Sequence, residues 1–446
     1  MSHRTTCQWR QTLVYRPMSQ KTLNSWLTHL EGAHSKAIDL GLDRVREVAQ
    51  TMRLSPRVPV ITVAGTNGKG STVRVLQALL KAIGVRSGVF TSPHLLRFNE
   101  RIVIDDHVAT DQEIIDAFAA IEHARGQVSL TYYEFSTLAA AYLFDRSDVQ
   151  VWLLEVGLGG RLDAVNIFDA TVSVVTSIDL DHQAYLGDTR DAIAIEKAGV
   201  ARCGSPCVVA ESNLPSTLIP ELQRIGAIPI TIGRDFKVTL RADETRWDGQ
   251  WSWDGVALDI TEVESPSFIE SNVAGAIAAV LALGFELDEQ RVKRALHGLD
   301  LAGRRQMVDL GGYKVLCDVA HNPASVAALA RYHRQHRPDA GVCRAVFSVM
   351  SDKDIAAMLQ QGSEFIDVWY LAGQQNERVA SVKTVSDLIA AHLQTESHVF
   401  NNVRSAIKAM ISDANDGDSL IVMGSFTTVA VALAMVDDPA EVVSEC

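Results

Sequence analysis

The sequence predicts an α/β protein of two domains, the first built on a P-loop-type parallel sheet and the second on a smaller Rossmann-like sheet, and three observations predict it. β-Branched apolar runs alternate with helical segments from Val58 to about Ala210. One of those runs, in VPVITVAGTNGKGST (58–72), breaks into a glycine-rich turn with a lysine and then opens a helix, the pattern of a phosphate-binding loop. The alternation stops near residue 235 and restarts after about Leu301, which divides the chain at 1–300 and 301–446.

In chain order, VPVITVAG reads as a strand, Ser71 to Ile83 as a helix and GVFTS as a strand. Helices follow at Asp111 to His123 and Glu134 to Phe144, then the strands VQVWLLEVG and TVSVVTSI and a helix from Thr189 to Val200. Ligands of such sheets gather at the carboxyl ends of the strands. Three motifs fall there, Gly65 to Ser71, Glu155 to Asp163 and Asp179 to His182, so residues distant in sequence are expected in one crevice. RWDGQWSWDG (246–255) reads as a hairpin with turns at its Asp-Gly pairs, and Asn272 to Leu283 as an alanine-rich helix. HGLDLAGRR (297–305) has the glycines and polar residues of a hinge. Beyond it YKVLCDVA, CRAVFSVM, VWYLAG and SLIVMGS read as strands, alternating with helices at Ala324 to His333, Asp354 to Gln361, Val382 to Leu393, Val403 to Ser412 and Thr427 to Val436.

The chain has 446 residues, 47% hydrophobic and 21% charged, which is ordinary globular composition. Its net charge of −13 and the lack of a basic tract argue against general nucleic-acid affinity. No apolar run reaches membrane-spanning length, and the first residues lack the apolar core of a secretory signal. A soluble cytoplasmic protein is expected, with residues 1 to 17 as an extension ahead of Met18. Cysteines at 7, 203, 207, 317, 343 and 446 are scattered, and the Cys203–Cys207 spacing lacks a second ligand pair, so reduced thiols and no cysteine metal site are expected.

The motifs carry the chemistry. Gly65, Gly68 and Gly70 let the backbone turn and aim N–H groups at an anion, Lys69 adds a mobile positive charge, and Ser71 offers a hydroxyl to a phosphate-bound magnesium. A strict P-loop would need glycine at Val63 and would not place Gly70 between the lysine and Ser71. Glu155, ending a buried strand beside a Gly-Gly turn, can hold magnesium against nucleotide phosphates, and Asp163 can accept hydrogen bonds from a substrate. His182 ends another strand at the same edge, where metal ligation is favoured over a structural role. The spacing around Lys197 marks it as nothing more than a surface or ion-paired lysine.

GTNGKGS (65–71) resembles the nucleotide loop of the ATP-dependent amide ligases that include the Mur ligases and the folylpolyglutamate synthases. TSPHL (91–95), ERI (100–102), LTYYE (130–134), EVGLGGRLDA (155–164), LDHQAYLGDT (180–189), EKAG (196–199), GR (303–304), DVAHNP (318–323) and GSFTTVA (424–430) follow in the order of the folylpolyglutamate synthase and dihydrofolate synthase family. The similarity runs from about Ser25 to Val436 and is strongest to the bifunctional subgroup. The resemblance implies a first domain of Mur ligase kind and a second, glutamate ligase domain. It implies that Thr66, Asn67, Gly68, Lys69, Gly70, Ser71, Asn272, Arg304 and Asp318 bind ATP, and that Ser71, Ser92, Glu155, His182 and a carbamylated Lys197 hold Mg2+. Asp39, Leu40, Thr131, Tyr132, Tyr133, Glu134, Leu162, Asp163 and Ala164 match the pterin surface, and His321 and Ser425 lie in motifs associated with glutamate. Lys69, Lys197 and His321 are the implied catalytic residues.

The implied reaction is ligation of L-glutamate to dihydropteroate and to the γ-carboxylate of reduced folates through an acyl phosphate, by a monomer. The sequence departs from the family pattern at Ala302, usually proline, at Val165, usually threonine, and at Asp179, usually a small residue. The alternatives are a tail-extending enzyme only, a Mur-type ligase, and a nucleotide-dependent switch. Absence of an N-terminal nucleotide-sugar domain, together with LTYYE and HSKAIDLGLDR (34–44), argues against the second. The third leaves DVAHNP and GSFTTVA without a role.

Overall fold

The structure, a computed structural model, describes residues 22–241, 246–264, 268–336, 341–393 and 395–436. Strands β1 (Val60–Ala64), β2 (Ser87–Phe90), β3 (Ile102–Ile104), β4 (His107–Val108), β5 (Val151–Glu155), β6 (Val172–Val175), β7 (Pro206–Val209) and β8 (Ile228–Thr231) form one sheet in the order β4-β3-β2-β5-β1-β6-β7-β8. All its pairings from β2 to β8 are parallel, and β3 and β4 add an antiparallel edge. Its central strands β1 and β5 are buried along their whole length, as expected of runs that carry no polar alternation and are covered on both faces. Helix Lys69–Ala82 covers one face with helix Glu270–Ala282, while helices Asp111–Arg125 and Tyr132–Asp145 belong to the other core.

Strands β9 (Phe236–Leu240), β10 (Arg246–Trp253) and β11 (Val256–Glu264) form a small antiparallel sheet. Of the two Asp-Gly pairs expected as turns, only Asp254-Gly255 is one. Asp248-Gly249 lies inside β10, where the register slips by a bulge. Packing explains the correction: Trp247 and Trp251 are both buried on one face, and a Cβ on Gly249 would sit 2.4 Å from the Trp251 ring.

Strands β12 (Gln306–Leu310), β13 (Tyr313–Asp318), β14 (Cys343–Phe347), β15 (Val368–Ala372), β16 (Glu396–Phe400) and β17 (Ser419–Met423) form the third sheet, ordered β12-β13-β17-β14-β15-β16. It is parallel except for β12, which pairs antiparallel with β13 and which alternation alone does not reveal. The last element packed on the first sheet's helices is Glu289–Leu296, and β12 opens the third sheet at Gln306. Among the described residues, Cys203, Cys207, Cys317 and Cys343 are free thiols, and no helix is long and apolar enough to cross a membrane.

Candidate active site

The glycine loop joins β1 to helix Lys69–Ala82, and close packing dictates its glycines. A Cβ on Gly65 would fall 1.7 Å from Thr176 Oγ1, and one on Gly68, whose φ is +85°, would fall 2.2 Å from Asn272 Nδ2. Asn272 therefore lies directly on the loop. The Thr66 hydroxyl accepts from Asp179 N–H (3.0 Å), and Asn67 N–H donates to Ser177 Oγ (3.0 Å), so the neighbouring strand end braces the turn. Lys69 is folded back, Nζ donating to the carbonyls of Gly65 (3.0 Å) and Thr66 (3.1 Å). Burial lowers the Lys69 pKa, opposed by Glu155 and Asp181.

Glu155 ends β5 and is buried; its Oε2 accepts from Ser92 N–H at 3.1 Å. Burial raises its pKa and the nearby Lys69 charge opposes that shift. A Cβ on Gly70 would stand 3.6 Å from Glu155 Oε2, so the carboxylate reaches the first turn of the loop helix, which also carries Ser71. Hydroxyl and carboxylate oxygens are the hard donors that magnesium prefers, and this set fits that ion. His182, with φ +51°, caps the short helix Gln183–Leu186, and burial lowers its pKa. Lys197 is buried without a side-chain hydrogen bond or ion pair among the described residues. Burial, and next the Lys69 charge, bring its pKa down to about 7. Among the described residues no three His, Cys, Asp or Glu side chains gather as a metal cluster, and the expected ligand set contains only two of those types.

Beside this site a pocket of about 290 Å³ is lined by Asp39, Leu40, Thr131 to Glu134 and Leu162 to Ala164, the whole expected pterin surface, together with Ser92, Pro93 and Arg101. Thr131 and Glu134 form the capping box of helix Tyr132–Asp145, the T-x-x-E pattern visible in LTYYE. Glu134 Oε1 also meets Arg44 at 3.2 Å, and Arg44 meets Asp39 Oδ2 at 2.8 Å, tying the 33–42 loop to the pocket wall. Asp163 accepts from the N–H groups of Gly157 (2.9 Å), Leu158 (2.9 Å) and Val165 (3.1 Å) and from the Tyr133 hydroxyl (3.2 Å). Two of these donors are shared, the Tyr133 hydroxyl with the Glu155 carbonyl (3.1 Å) and the Gly157 N–H with the Tyr133 oxygen (2.8 Å), so the carboxylate is held in the pocket wall by a shared network. Burial pushes its pKa up to about 6 against those hydrogen bonds.

The third sheet closes the site from the other side. Arg304 is half-buried and lies over the Phe426 ring at 4.9 Å, and Asp318 accepts from the backbone N–H groups of Arg305 (2.9 Å) and Ala320 (2.8 Å). The hinge is tied down at Gly303 despite Ala302, because Val319 N–H donates to the Gly303 carbonyl at 2.9 Å. Ser425 is buried, its hydroxyl bonded to Thr428 Oγ1 at 2.6 Å and capping helix Phe426–Val436. His321 Nδ1 lies 2.9 Å from the Val319 carbonyl, which can only accept, so Nδ1 carries the proton and Nε2 is free to accept. Burial, and next Lys353, lower the His321 pKa to about 4, keeping the ring neutral at pH 7.

Of the residues that lock the two halves together, Asp181, Asn322 and Lys353 were not singled out by sequence, whereas Asn67 and His321 were expected in other roles. Asn67 and Asn322 exchange amide hydrogen bonds (3.1 and 2.9 Å), and Asp181 pairs with Lys353 at 2.6 Å, accepts from Asn322 Nδ2 at 3.3 Å and stands 3.7 Å from His321 Nε2. Burial alone would raise the Asp181 pKa. His182, Lys353 and His321 outweigh it and hold the carboxyl well below the usual range.

Residues 303–426 match the family described as Mur ligase, glutamate ligase domain. The dihydrofolate synthase/folylpolyglutamate synthase of Escherichia coli (strain K12) is 39% identical over 422 residues, covering 94% of this chain and 97% of its own. The chain belongs to the dihydrofolate synthase/folylpolyglutamate synthase family. Its Haemophilus influenzae relative of the same name is 36% identical, over 93% of this chain and 98% of its own length. Among solved structures of the family, Escherichia coli FolC in complex with DHPP and ADP matches with a TM-score of 0.89 at 38% identity, covering 95% of this chain and 99% of that one. The Yersinia pestis bifunctional folylpolyglutamate synthase/dihydrofolate synthase complexed with AMPPNP and Mn ion matches with a TM-score of 0.87 at 38% identity, covering 95% and 100%. Both α/β halves therefore have the family's architecture.

Proposed function

We propose that this protein ligates L-glutamate to dihydropteroate, forming dihydrofolate, and to the γ-carboxylate of reduced folates, consuming ATP with Mg2+ and releasing ADP and phosphate. The observation that carries this reading is the position of the pocket lined by the nine expected pterin residues. It opens at Ser92, whose N–H is bonded to Glu155 beside the phosphate loop.

A pterin seated there directs its carboxylate toward the loop. A carboxylate oxygen attacks the γ-phosphorus of ATP, the bond to ADP breaks, and an acyl phosphate forms. The amino nitrogen of glutamate then attacks the acyl carbon, phosphate leaves with the C–O bond, and the amine gives up a proton. No protein nucleophile is needed, so catalysis is positional and electrostatic. Lys69 and the loop N–H groups stabilise charge on the transferring phosphoryl group. Asn272, Arg304 and Asp318 border the nucleotide. Ser71, Ser92, Glu155 and His182 would hold magnesium, with Lys197 as a carbamate anion beside them; when bound, the ion neutralises phosphate charge. The neutral His321 presents Nε2 as acceptor for the incoming amino group, near Ser425. The Asn67–Asn322 and Asp181–Lys353 contacts close the halves and exclude water that would hydrolyse the acyl phosphate.

This reading places the domain boundary at 300/301 and treats the protein as a cytoplasmic monomer that binds neither nucleic acid nor membrane. Phosphate release from ATP tests it. Release that needs both a pteroate or folate and glutamate supports the ligase, and release without either contradicts it.

A further inference from the structure

Two motifs of the sequence, TSPHL (91–95) and ERI (100–102), are only partly used by the reading above, and they meet at Arg101. This arginine ends the single helical turn Phe98–Arg101 and is only 8% exposed, yet it lines the pocket of about 290 Å³. Its Nε donates to His94 Nδ1 at 2.8 Å, and its guanidinium carbon stands 5.5 Å from the centres of both the Phe98 and the Tyr132 rings. Those contacts fix the plane of the group and leave Nη1 and Nη2 without a hydrogen-bond partner among the described residues. The acids that act on its charge are engaged elsewhere. Glu155 accepts from Ser92 N–H, and Glu100 from the backbone N–H groups of Leu95, Leu96 and Arg97 at 2.6–2.8 Å. A buried cation left without an anion destabilises a fold, so its place in the wall of a pocket points to an anion that arrives with the ligand.

Resting on the ligase reading, we infer that Arg101 is a catalytic residue that pairs with the reacting carboxylate of the pterin substrate. Its forked Nη donors match the two oxygens of a carboxylate, and the pocket also reaches Ser92, beside the phosphate loop. Once one of those oxygens has attacked the γ-phosphorus and the bond to ADP has broken, the other is the carbonyl oxygen of the acyl phosphate. When the amino nitrogen of glutamate attacks the acyl carbon, that oxygen takes the electron pair as an oxyanion, and it returns the pair as phosphate leaves. Lys69 and the loop N–H groups serve the phosphoryl oxygens, whereas Arg101 serves the acyl oxygen through both steps.

The test measures binding of dihydropteroate, and of its analogue lacking the carboxyl group, to wild type, Arg101→Met and Arg101→Lys, by fluorescence titration with a non-hydrolysable ATP analogue and Mg2+ present. Wild type should bind dihydropteroate at least about tenfold tighter than the analogue. In Arg101→Met that ratio should fall about tenfold, with the analogue bound within about twofold of wild type, and turnover on dihydropteroate should drop about a hundredfold. Arg101→Lys keeps a buried cation without the fork and should lose about threefold of the ratio. If Arg101→Met does not fold, Arg101→Lys carries the same comparison. An unchanged ratio, an equal loss of affinity for both ligands, or equal wild-type affinity for the two would each overturn the proposal while leaving the ligase reading in place. A wild type that binds dihydropteroate but adds no glutamate would overturn the ligase reading, with the pairing still decided by the ratio. A wild type that binds neither ligand would overturn both.

Discussion

At the scale of single residues, the site rests on two lysines held in different states, Lys69 half-buried and Lys197 buried. Lys69 keeps two loop carbonyls and faces Glu155 and Asp181, whereas Lys197 has no bonded side-chain partner among the described residues and its pKa is brought to about 7. Lys69→Ala should cut turnover on both substrates by about a hundredfold or more, with near-normal turnover contradicting its role. A lysine with about half its amine neutral at pH 7 is suited to take up carbon dioxide. Lys197→Ala should therefore lose activity that acetate partly restores, Lys197→Arg should not substitute, and a carbamate signal from 13C-bicarbonate should vanish in both variants. Full activity in Lys197→Arg would remove the carbamate from the account. Asp163 makes a prediction about pH. Its folded pKa, about 6, lies above the unfolded value of 3.8, so the folded state binds the proton more tightly. Its contribution to stability is thus greatest below pH 4 and falls as pH rises through 6, by about 3 kcal/mol at most. Wild-type stability relative to Asp163→Asn should decline across that window in denaturant titrations. A constant difference would mean the carboxyl titrates normally.

At the scale of elements, the phosphate loop was legible because its chemistry is local. Glycines, lysine and serine stand together in seven residues after a strand, and the helix begins at Lys69 as the loop requires. The capping boxes at Thr131/Glu134 and Thr110/Glu113 were equally readable in principle. They also show why a motif residue can be bound to a helix end and line a pocket at once. The Asp248-Gly249 pair misled because turn propensity is local, whereas two buried tryptophans decide the path of β10. Strand β12 was missed because Gln306–Leu310 has few β-branched residues and follows a polar hinge. The loop supplies its own prediction. Gly68→Ala must carry φ +85° and move Asn272, so nucleotide affinity measured by calorimetry should fall at least about tenfold, with the melting temperature shifted by a few degrees. Unchanged affinity would mean Asn272 yields freely.

At the scale of the whole molecule, the contacts between the halves join residues far apart in the chain, and no periodicity marks them. Lys353 lies in a loop, 172 positions from Asp181, and only the DVAHNP motif pointed near their meeting place. Their pair is buried, so Lys353→Met leaves Asp181 without its main cation and should destabilise the closed arrangement by about 3–5 kcal/mol. Small-angle scattering should then show a larger radius of gyration than wild type. An unchanged profile would show that other contacts suffice. The closed halves matter because they bring the phosphate loop, the pocket proposed for the pterin and His321 to one place, and the central claim is that this place makes an amide bond. The most direct test is incubation with ATP, Mg2+, glutamate and either dihydropteroate or tetrahydrofolate, reading products by mass and phosphate in parallel. The account predicts one added glutamate on dihydropteroate, at least one on tetrahydrofolate, and one phosphate released per glutamate joined. Phosphate release without a glutamylated product, or products from tetrahydrofolate alone, would contradict it.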